Sequence, residues 1–237
     1  MGLSEEQLKQ AKALVFDYMG TVTDWLTPVA TALIANAPKS STVDWVEFAH
    51  RWRKEFFAYT ETLADGTEVA SLHDVYDRSL SRCQSSLDFE WSSEQREKLI
   101  RSWSGLVSWV DSREGLQRLR QKYLVVILSN GSTRVLIDAS KRNKLEWDMT
   151  FASDMIGAYK PSKKTYQEVI RLLQLKPSEC VMVAAHAYDL QAAATHGMGT
   201  IYVARETEDR GVNLANYSFD LTIQENGLIG LASALSC

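Results

Sequence analysis

Asp17 stands where chemistry is easiest to place. It ends the apolar run Ala13-Leu14-Val15-Phe16 and is followed by Tyr18-Met19-Gly20-Thr21-Val22, the pattern of a buried strand running into a loop with a polar residue at its tip. A carboxylate there can act as a nucleophile and form an ester intermediate, provided that it has a dry pocket, neighbouring donors and a compensating cation. Thr21 and the amides of the turn at Gly20 are placed to orient it. The plainer alternative is a cap, since aspartates after strands also bond the first amides of a helix or turn. One loop alone does not decide between the two.

Three other apolar runs end in the same way. Leu124 to Leu128 leads into Ser129-Asn130-Gly131, Cys180 to Ala184 into His186 and Asp189, and Thr200 to Val203 into Arg205. Helical patterns lie between them, from Arg113 to Lys122, Thr133 to Lys144, Lys163 to Leu173 and Tyr188 to His196. Strands alternating with helices predict an α/β fold, a Rossmann-like parallel sheet core with helices on both faces. In such sheets the ligand crevice lies beyond the carboxyl ends of the strands, where all of these polar groups sit. Residues 25–105 break the alternation with helical patterns such as Val43 to Leu63 and Glu94 to Trp103. The expected organisation is therefore a core of residues 1–24 and 106–237 with a helical cap, residues 25–105, inserted after the first strand. A cap so placed lies over the crevice, contacts substrate and excludes water.

Composition narrows the partners. The 237 residues carry a formal net charge of -4, with 45% hydrophobic and 24% charged residues, which leaves no basic footprint for nucleic acid and no charged block for a membrane surface. No apolar stretch approaches the roughly 20 residues that span a bilayer. The start lacks the basic and long apolar regions of a secretion signal, and Gln7 stands where a myristoylation pattern needs a hydroxyl. Cys83, Cys180 and Cys237 are odd in number and lack metal-ligand spacing, which fits a reducing compartment. The expectation is a cytoplasmic protein with a small-molecule substrate. His50, His73 and His196 form no metal-binding spacing either.

The loop at Asp17 resembles the nucleophile loop of the haloacid dehalogenase superfamily, and three further motifs of that superfamily follow in order. Ser129 or its neighbour matches the hydroxyl motif, Lys160-Pro161 the lysine motif and Asp189 the acidic motif, so that the resemblance covers nearly the whole chain. It implies that Lys160 offsets the charges of Asp17 and Asp189. Phosphatases of the superfamily carry a second aspartate two residues after the nucleophile, as acid and base beside Mg²⁺. Here that position is Met19, whose thioether does neither, whereas a halide departs without protonation. The resemblance therefore points to the metal-free, cofactor-free L-2-haloacid dehalogenases. Trp52-Arg53 with Tyr59-Thr60 is similar to the family segment whose arginine cradles the departing halide. Ser129-Asn130-Gly131-Ser132 is similar to the segment that binds substrate carboxylate, and Tyr166 follows Lys160 at the family spacing. Tyr18, Met19, Arg53, Ser129, Asn130 and Tyr166 are thus the expected substrate contacts, and a homodimer is implied.

The fourth motif departs from that family. Ala184 and His186 stand where the dehalogenases have serine and asparagine. His186 reads either as a replacement donor or as a general base for the hydrolytic water, with an imidazole titrating near the ordinary value of about 6.5 or somewhat displaced from it, or as a histidine bonded within its loop. The candidate catalytic set is Asp17, Thr21, Lys160, His186 and Asp189. Trp103 and Trp109, at the return from the insertion, read as packing residues or as walls of an apolar pocket. The alternatives to dehalogenation are the same aspartyl chemistry on another small substrate, a binding protein that keeps the fold without catalysis and, against Met19, a phosphatase.

Overall fold

The computed structural model describes residues 3–63 and 71–237. Helix α1 (Glu5–Lys9) precedes β1 (Ala13–Phe16) and the short β2 (Thr23–Asp24); four helices follow, α2 (Leu26–Asn36), α3 (Trp45–Leu63), α4 (Leu72–Gln84) and α5 (Ser93–Ser102). The chain then forms β3 (Val107–Ser108), α6 (Ser112–Leu119), β4 (Leu124–Ser129), α7 (Thr133–Asn143), β5 (Met149–Ala152), α8 (Ser153–Ile156) and α9 (Lys163–Leu173). It ends with β6 (Cys180–Ala184), α10 (Ala187–Ala194), β7 (Gly199–Val203), β8 (Leu221–Ile223) and α11 (Gly227–Ala234).

Six strands make one sheet in the order β5-β4-β1-β6-β7-β8, parallel throughout. β2 and β3 pair antiparallel beside it. Both faces of the sheet are buried, which is why its strands are continuous apolar runs. Leu14, Phe16, Val125, Ile127, Val181 and Val183 enter one core with Leu116 of α6, Leu136 of α7 and Leu228 of α11. Their strand neighbours Val15, Val126, Leu128 and Met182 enter the other with Tyr166 and Val169 of α9 and Leu190 of α10.

β1 is central because the chain leaves it for β4 on one side and later crosses to β6 on the other. That reversal opens a crevice at the carboxyl end of β1. Phe16 pairs with both Ile127 and Val183, so Asp17 emerges level with the ends of β4 and β6, and the loops at Ser129 and His186 start beside it.

Among the described residues, the stretch from Leu26 to Ser102 holds helices and no strand. α3 turns Trp45, Phe48, Ala49, Trp52, Arg53, Phe56 and Thr60 inward, an apolar stripe at helical spacing. Trp103 is the hub of an aromatic cluster: its ring centroid lies 4.8 Å from Tyr76, 5.2 Å from Trp52 and 5.3 Å from Trp25. This cluster seats the helices on the mouth of the crevice. No helix among the described residues is long and apolar enough to cross a membrane.

The elements differ from the sequence patterns mostly at their ends. α6 stops at Leu119 rather than Lys122, and α10 runs over Ala187–Ala194 rather than from Tyr188 to His196. β5, β8 and α11 go beyond what periodicity marks. β8 has three residues at the sheet edge, too few to display an alternation, and α11 (GLIGLASA) is apolar on most sides with two glycines.

Candidate active site

Asp17 is 5% exposed, and the core elements hold it from several sides. Its amide donates to Val183 O at 3.0 Å, which extends the ladder between β1 and β6 by one residue. Thr21 Oγ1 donates to Oδ2 at 2.7 Å and accepts from the Ala185 amide at 2.8 Å, tying the nucleophile loop to the end of β6. Lys160 Nζ donates to Oδ1 at 2.7 Å. The backbone of Lys160 is clamped in turn by the Asn130 amide group, which accepts from Lys160 N at 2.6 Å and donates to Lys160 O at 3.1 Å. Nζ also donates to Asp189 Oδ2, and Asp189 Oδ1 accepts from the Tyr166 hydroxyl at 2.6 Å. Burial raises the Asp17 carboxyl, but the Lys160 and His186 charges outweigh it and hold the group far below the usual carboxylate range. Burial and the nearby Asp17 charge push Asp189 up. The Lys160 ammonium, whose burial opposes its charge, is raised by the two carboxylates.

A second set of groups closes the other side. His186, the residue before α10, points Nε2 at Glu208 Oε2 at 2.6 Å and brings Nδ1 to 3.1 Å from Asp17 Oδ2, without the alignment of a full hydrogen bond. Arg53 of α3 pairs through Nη1 with Glu208, and its Nη2 reaches Met19 O at 3.3 Å and lies 3.0 Å from His186 Nε2. The guanidinium is stacked over Trp25, 4.4 Å from the ring centroid. Glu208 Oε1 accepts from Trp25 Nε1 at 2.7 Å and from the Thr207 hydroxyl at 2.9 Å. Burial raises the Glu208 carboxyl, yet Arg53 and His186 bring it well below its ordinary value. Burial lowers His186, but Asp17 and Glu208 on its two sides push it up to about 9. An imidazolium at neutral pH therefore stands in place of an imidazole near 6.5, with Lys160 between Asp17 and Asp189 and Glu208 between Arg53 and His186.

Asp17, Met19, Arg53, Ser129, Asn130, Lys160 and His186 face a common cavity, walled elsewhere by Phe56, Phe57, Tyr76, Trp103 and Tyr188. Its free volume of about 20 Å³ has room for one water. A wider cleft of about 950 Å³ opens beside it between α3 and the loop at residues 207–212, sharing Arg53, Phe57, His186 and Tyr188 with the inner cavity and lined also by Glu208.

Two expected substrate contacts lie elsewhere. The Tyr18 side chain is fully buried in the core, its hydroxyl 3.2 Å from Ser140 Oγ and its ring against Trp147. Side chains alternate along an extended segment, so with Asp17 turned to the crevice Tyr18 turns away. Tyr166 also stays off the cavity wall, because α9 buries it against α10 with its hydroxyl on Asp189. Ser129 Oγ, on the wall, accepts from the Gly131 amide at 3.0 Å. Glu208 escaped sequence reasoning. It lies in the polar stretch Arg205-Glu206-Thr207-Glu208-Asp209-Arg210, which looks like a solvated loop; its one signal is its position just past the strand ending at Val203.

The donor set does not suit a divalent cation of the phosphatase kind. Both oxygens of Asp17 are engaged by Lys160, Thr21 and His186, both oxygens of Asp189 by Lys160 and Tyr166, and Met19 offers no hard oxygen side chain. A cation there would face two resident positive charges.

Comparisons with known proteins agree with this architecture. The family described as haloacid dehalogenase-like hydrolase matches residues 11–197. The chain is 28% identical over 199 residues to "(S)-2-haloacid dehalogenase 4A" of Burkholderia cepacia, which covers 82% of this chain and 84% of that protein. The crystal structure of the defluorinating L-2-haloacid dehalogenase Rha0230 superposes with a TM-score of 0.84 at 28% identity, covering 100% of both chains. That of the L-2-haloacid dehalogenase PA0810 gives 0.83 at 29% identity, covering 95% of this chain and 99% of the other. With the family match running from β1 through α10 and taking in the helical insertion, the chain belongs to the haloacid dehalogenase-like hydrolases.

Proposed function

We propose that this hydrolase removes halide from small 2-halocarboxylic acids through an aspartyl-ester intermediate on Asp17. The observation that carries the reading is the state of that carboxylate: buried, ionised, held by Lys160 and Thr21, and open to a closed cavity in which position 19 supplies no acid. Alkoxide loss from a phosphate ester needs such an acid, whereas loss of halide does not. The names of the relatives support the same substrate class.

Each group then has a part. Asp17 attacks the α-carbon from the side opposite the halogen as the carbon–halogen bond breaks, which inverts that carbon. Arg53 and the His186 imidazolium place positive charge at the cavity, where halide charge develops. Ser129 and Asn130 form the wall suited to the substrate carboxylate. The aromatic side chains Phe56, Phe57, Tyr76, Trp103 and Tyr188 exclude bulk water, which strengthens every charge inside. Water then cleaves the ester at the carboxyl carbon of Asp17.

Halide release measured on chloro-, bromo- and fluoroacetate and on the 2-halopropionates tests the substrate class. Turnover in H₂¹⁸O should leave ¹⁸O in the Asp17 peptide. No halide from any of these acids would overturn the reading, and release without label in Asp17 would replace the ester by direct attack of water.

A further inference from the structure

We infer that Glu208 is a positioning residue for the second half of the reaction, holding His186 so that its Nδ1 takes the proton of the water that cleaves the Asp17 ester. The inference rests on the proposed ester chemistry and deepens it. A carboxylate only accepts, so the contact of 2.6 Å between Glu208 Oε2 and His186 Nε2 requires the proton on Nε2. The nearby Arg53 Nη2 then has no lone pair to bond on that nitrogen; its partners are Met19 O and, through Nη1, Glu208 itself. Nδ1 is left facing Asp17 Oδ2 at 3.1 Å, with no other hydrogen-bond partner.

Glu208 is itself fixed. Trp25 Nε1 and the Thr207 hydroxyl hold Oε1, Arg53 and His186 hold Oε2, and the missing side chain at Gly20 makes room for the carboxylate, because a Cβ there would lie 2.5 Å from its carbon. A surface glutamate needs no such cradle.

The charged and titratable groups that face His186 are Asp17 from the nucleophile loop, Arg53 from α3, Glu208 and Asp209 from the loop after β7, and Tyr188 from its own helix. Of the two carboxylates that touch the ring, esterification removes the charge of one. Asp17 then no longer holds the Nδ1 proton, which is released, while Glu208 still holds the Nε2 proton. The tautomer so produced has its lone pair toward the ester carbonyl.

The balance closes from there. The oxygen of water bonds to the Asp17 carboxyl carbon as one water proton passes to Nδ1. The bond from that carbon to the substrate oxygen breaks with its electron pair on the oxygen, which takes the proton from Nδ1 and leaves as the hydroxyl of a 2-hydroxy acid. The second water proton, left on the Asp17 carboxyl, passes to Nδ1 and restores the starting ion pair. Each turnover consumes one water and one organic halide and releases one hydroxy acid, one halide and one proton.

Nitrogen NMR of the wild-type protein labelled in histidine tests the geometry without reference to activity. His186 should lose its Nδ1 proton as pH rises and keep the one on Nε2; a ring that keeps Nδ1–H would overturn the inference, and that measurement needs no variant. Glu208→Gln should lower the His186 midpoint by about one pH unit or more. It should slow ester breakdown about tenfold or more while the halide burst stays within about threefold, and Glu208→Asp should recover part of the breakdown rate. Equal slowing of burst and breakdown would mark a merely structural loss and overturn the role. Absence of any ester in the wild type overturns the aspartyl-ester route and the hydrolytic role with it; a normal ester beside the wrong tautomer overturns the role of Glu208 alone.

Discussion

The two sides of the Asp17 carboxylate are built differently. Lys160, Asp189, Tyr166, Thr21 and Asn130 come from loops at strand ends, from the loop before α9 and from α9 and α10, all within the sheet domain, and bond Asp17 or one another directly. Arg53, Trp25, Glu208 and His186 come from the helical insertion, its entry segment and two loops of the sheet domain, and meet across the crevice. The first side exists whenever the sheet is folded. The second also takes groups from the insertion, so the half of the site proposed to answer halide charge and water joins two parts of the chain, whereas the nucleophile is held within one.

The strongest way to break that contrast is to strike the side held within the sheet domain. Asp17→Asn should reduce halide release by about a thousandfold or more, because the nucleophile is gone. Lys160→Met should abolish turnover and cost about 3–5 kcal/mol in denaturant unfolding, since Asp17 and Asp189 are left buried without their shared cation. On the other side Arg53→Lys keeps the charge but loses the fork that spans Glu208 and Met19 O, and should slow turnover about tenfold to a hundredfold; a loss equal to that of Asp17→Asn would erase the distinction.

Proton linkage separates the sides by sign. His186 is raised to about 9 from about 6.5, so its contribution to stability is complete below about 6.5 and is lost as pH rises through about 9. Asp17 and Glu208 are depressed, so theirs is present above about 4 and is lost as pH falls below that. Thermal melting of the wild type should decline by a few degrees between about pH 7 and 10, at about 2–4 °C for each kcal/mol, and His186→Gln should flatten that limb and weaken the acid one, because His186 also helps to depress Asp17 and Glu208. The smallest effect belongs to Tyr18→Phe. Losing the contact with Ser140 should cost about 1 kcal/mol and leave kcat and KM unchanged; a tenfold rise in KM would return Tyr18 to the substrate.

What the sequence made legible follows the same division. Apolar runs ending in polar residues mark the strands and the crevice, because a sheet buried on both faces writes its positions continuously into the chain. Asp17, Lys160 and Asp189 sit at those ends or match short motifs. Glu208 depends on a loop conformation and on a partner 155 residues away, and neither leaves a periodic trace. Tyr18 and Tyr166 lie off the cavity wall for a different reason: a motif gives the position of a residue but not the face of the element toward which it turns. His186 was visible as a residue while its charge was not, since that depends on two carboxylates, one of them the unseen Glu208.

Gly20 has a consequence for how this scaffold can change over generations. Its φ of +90° already disfavours a side chain, and the space a Cβ would need is taken by the Glu208 carboxylate. Positions 20 and 208 are therefore one heritable unit: an alanine at 20 displaces the acid and through it Arg53 and His186, without touching either. A library that varies the nucleophile loop against a fixed residue 208 will return glycine. New side chains at position 20 need both a shorter residue 208 and a turn relaxed from its left-handed φ, and lineages that shorten 208 will have changed how they handle water before they change what they bind.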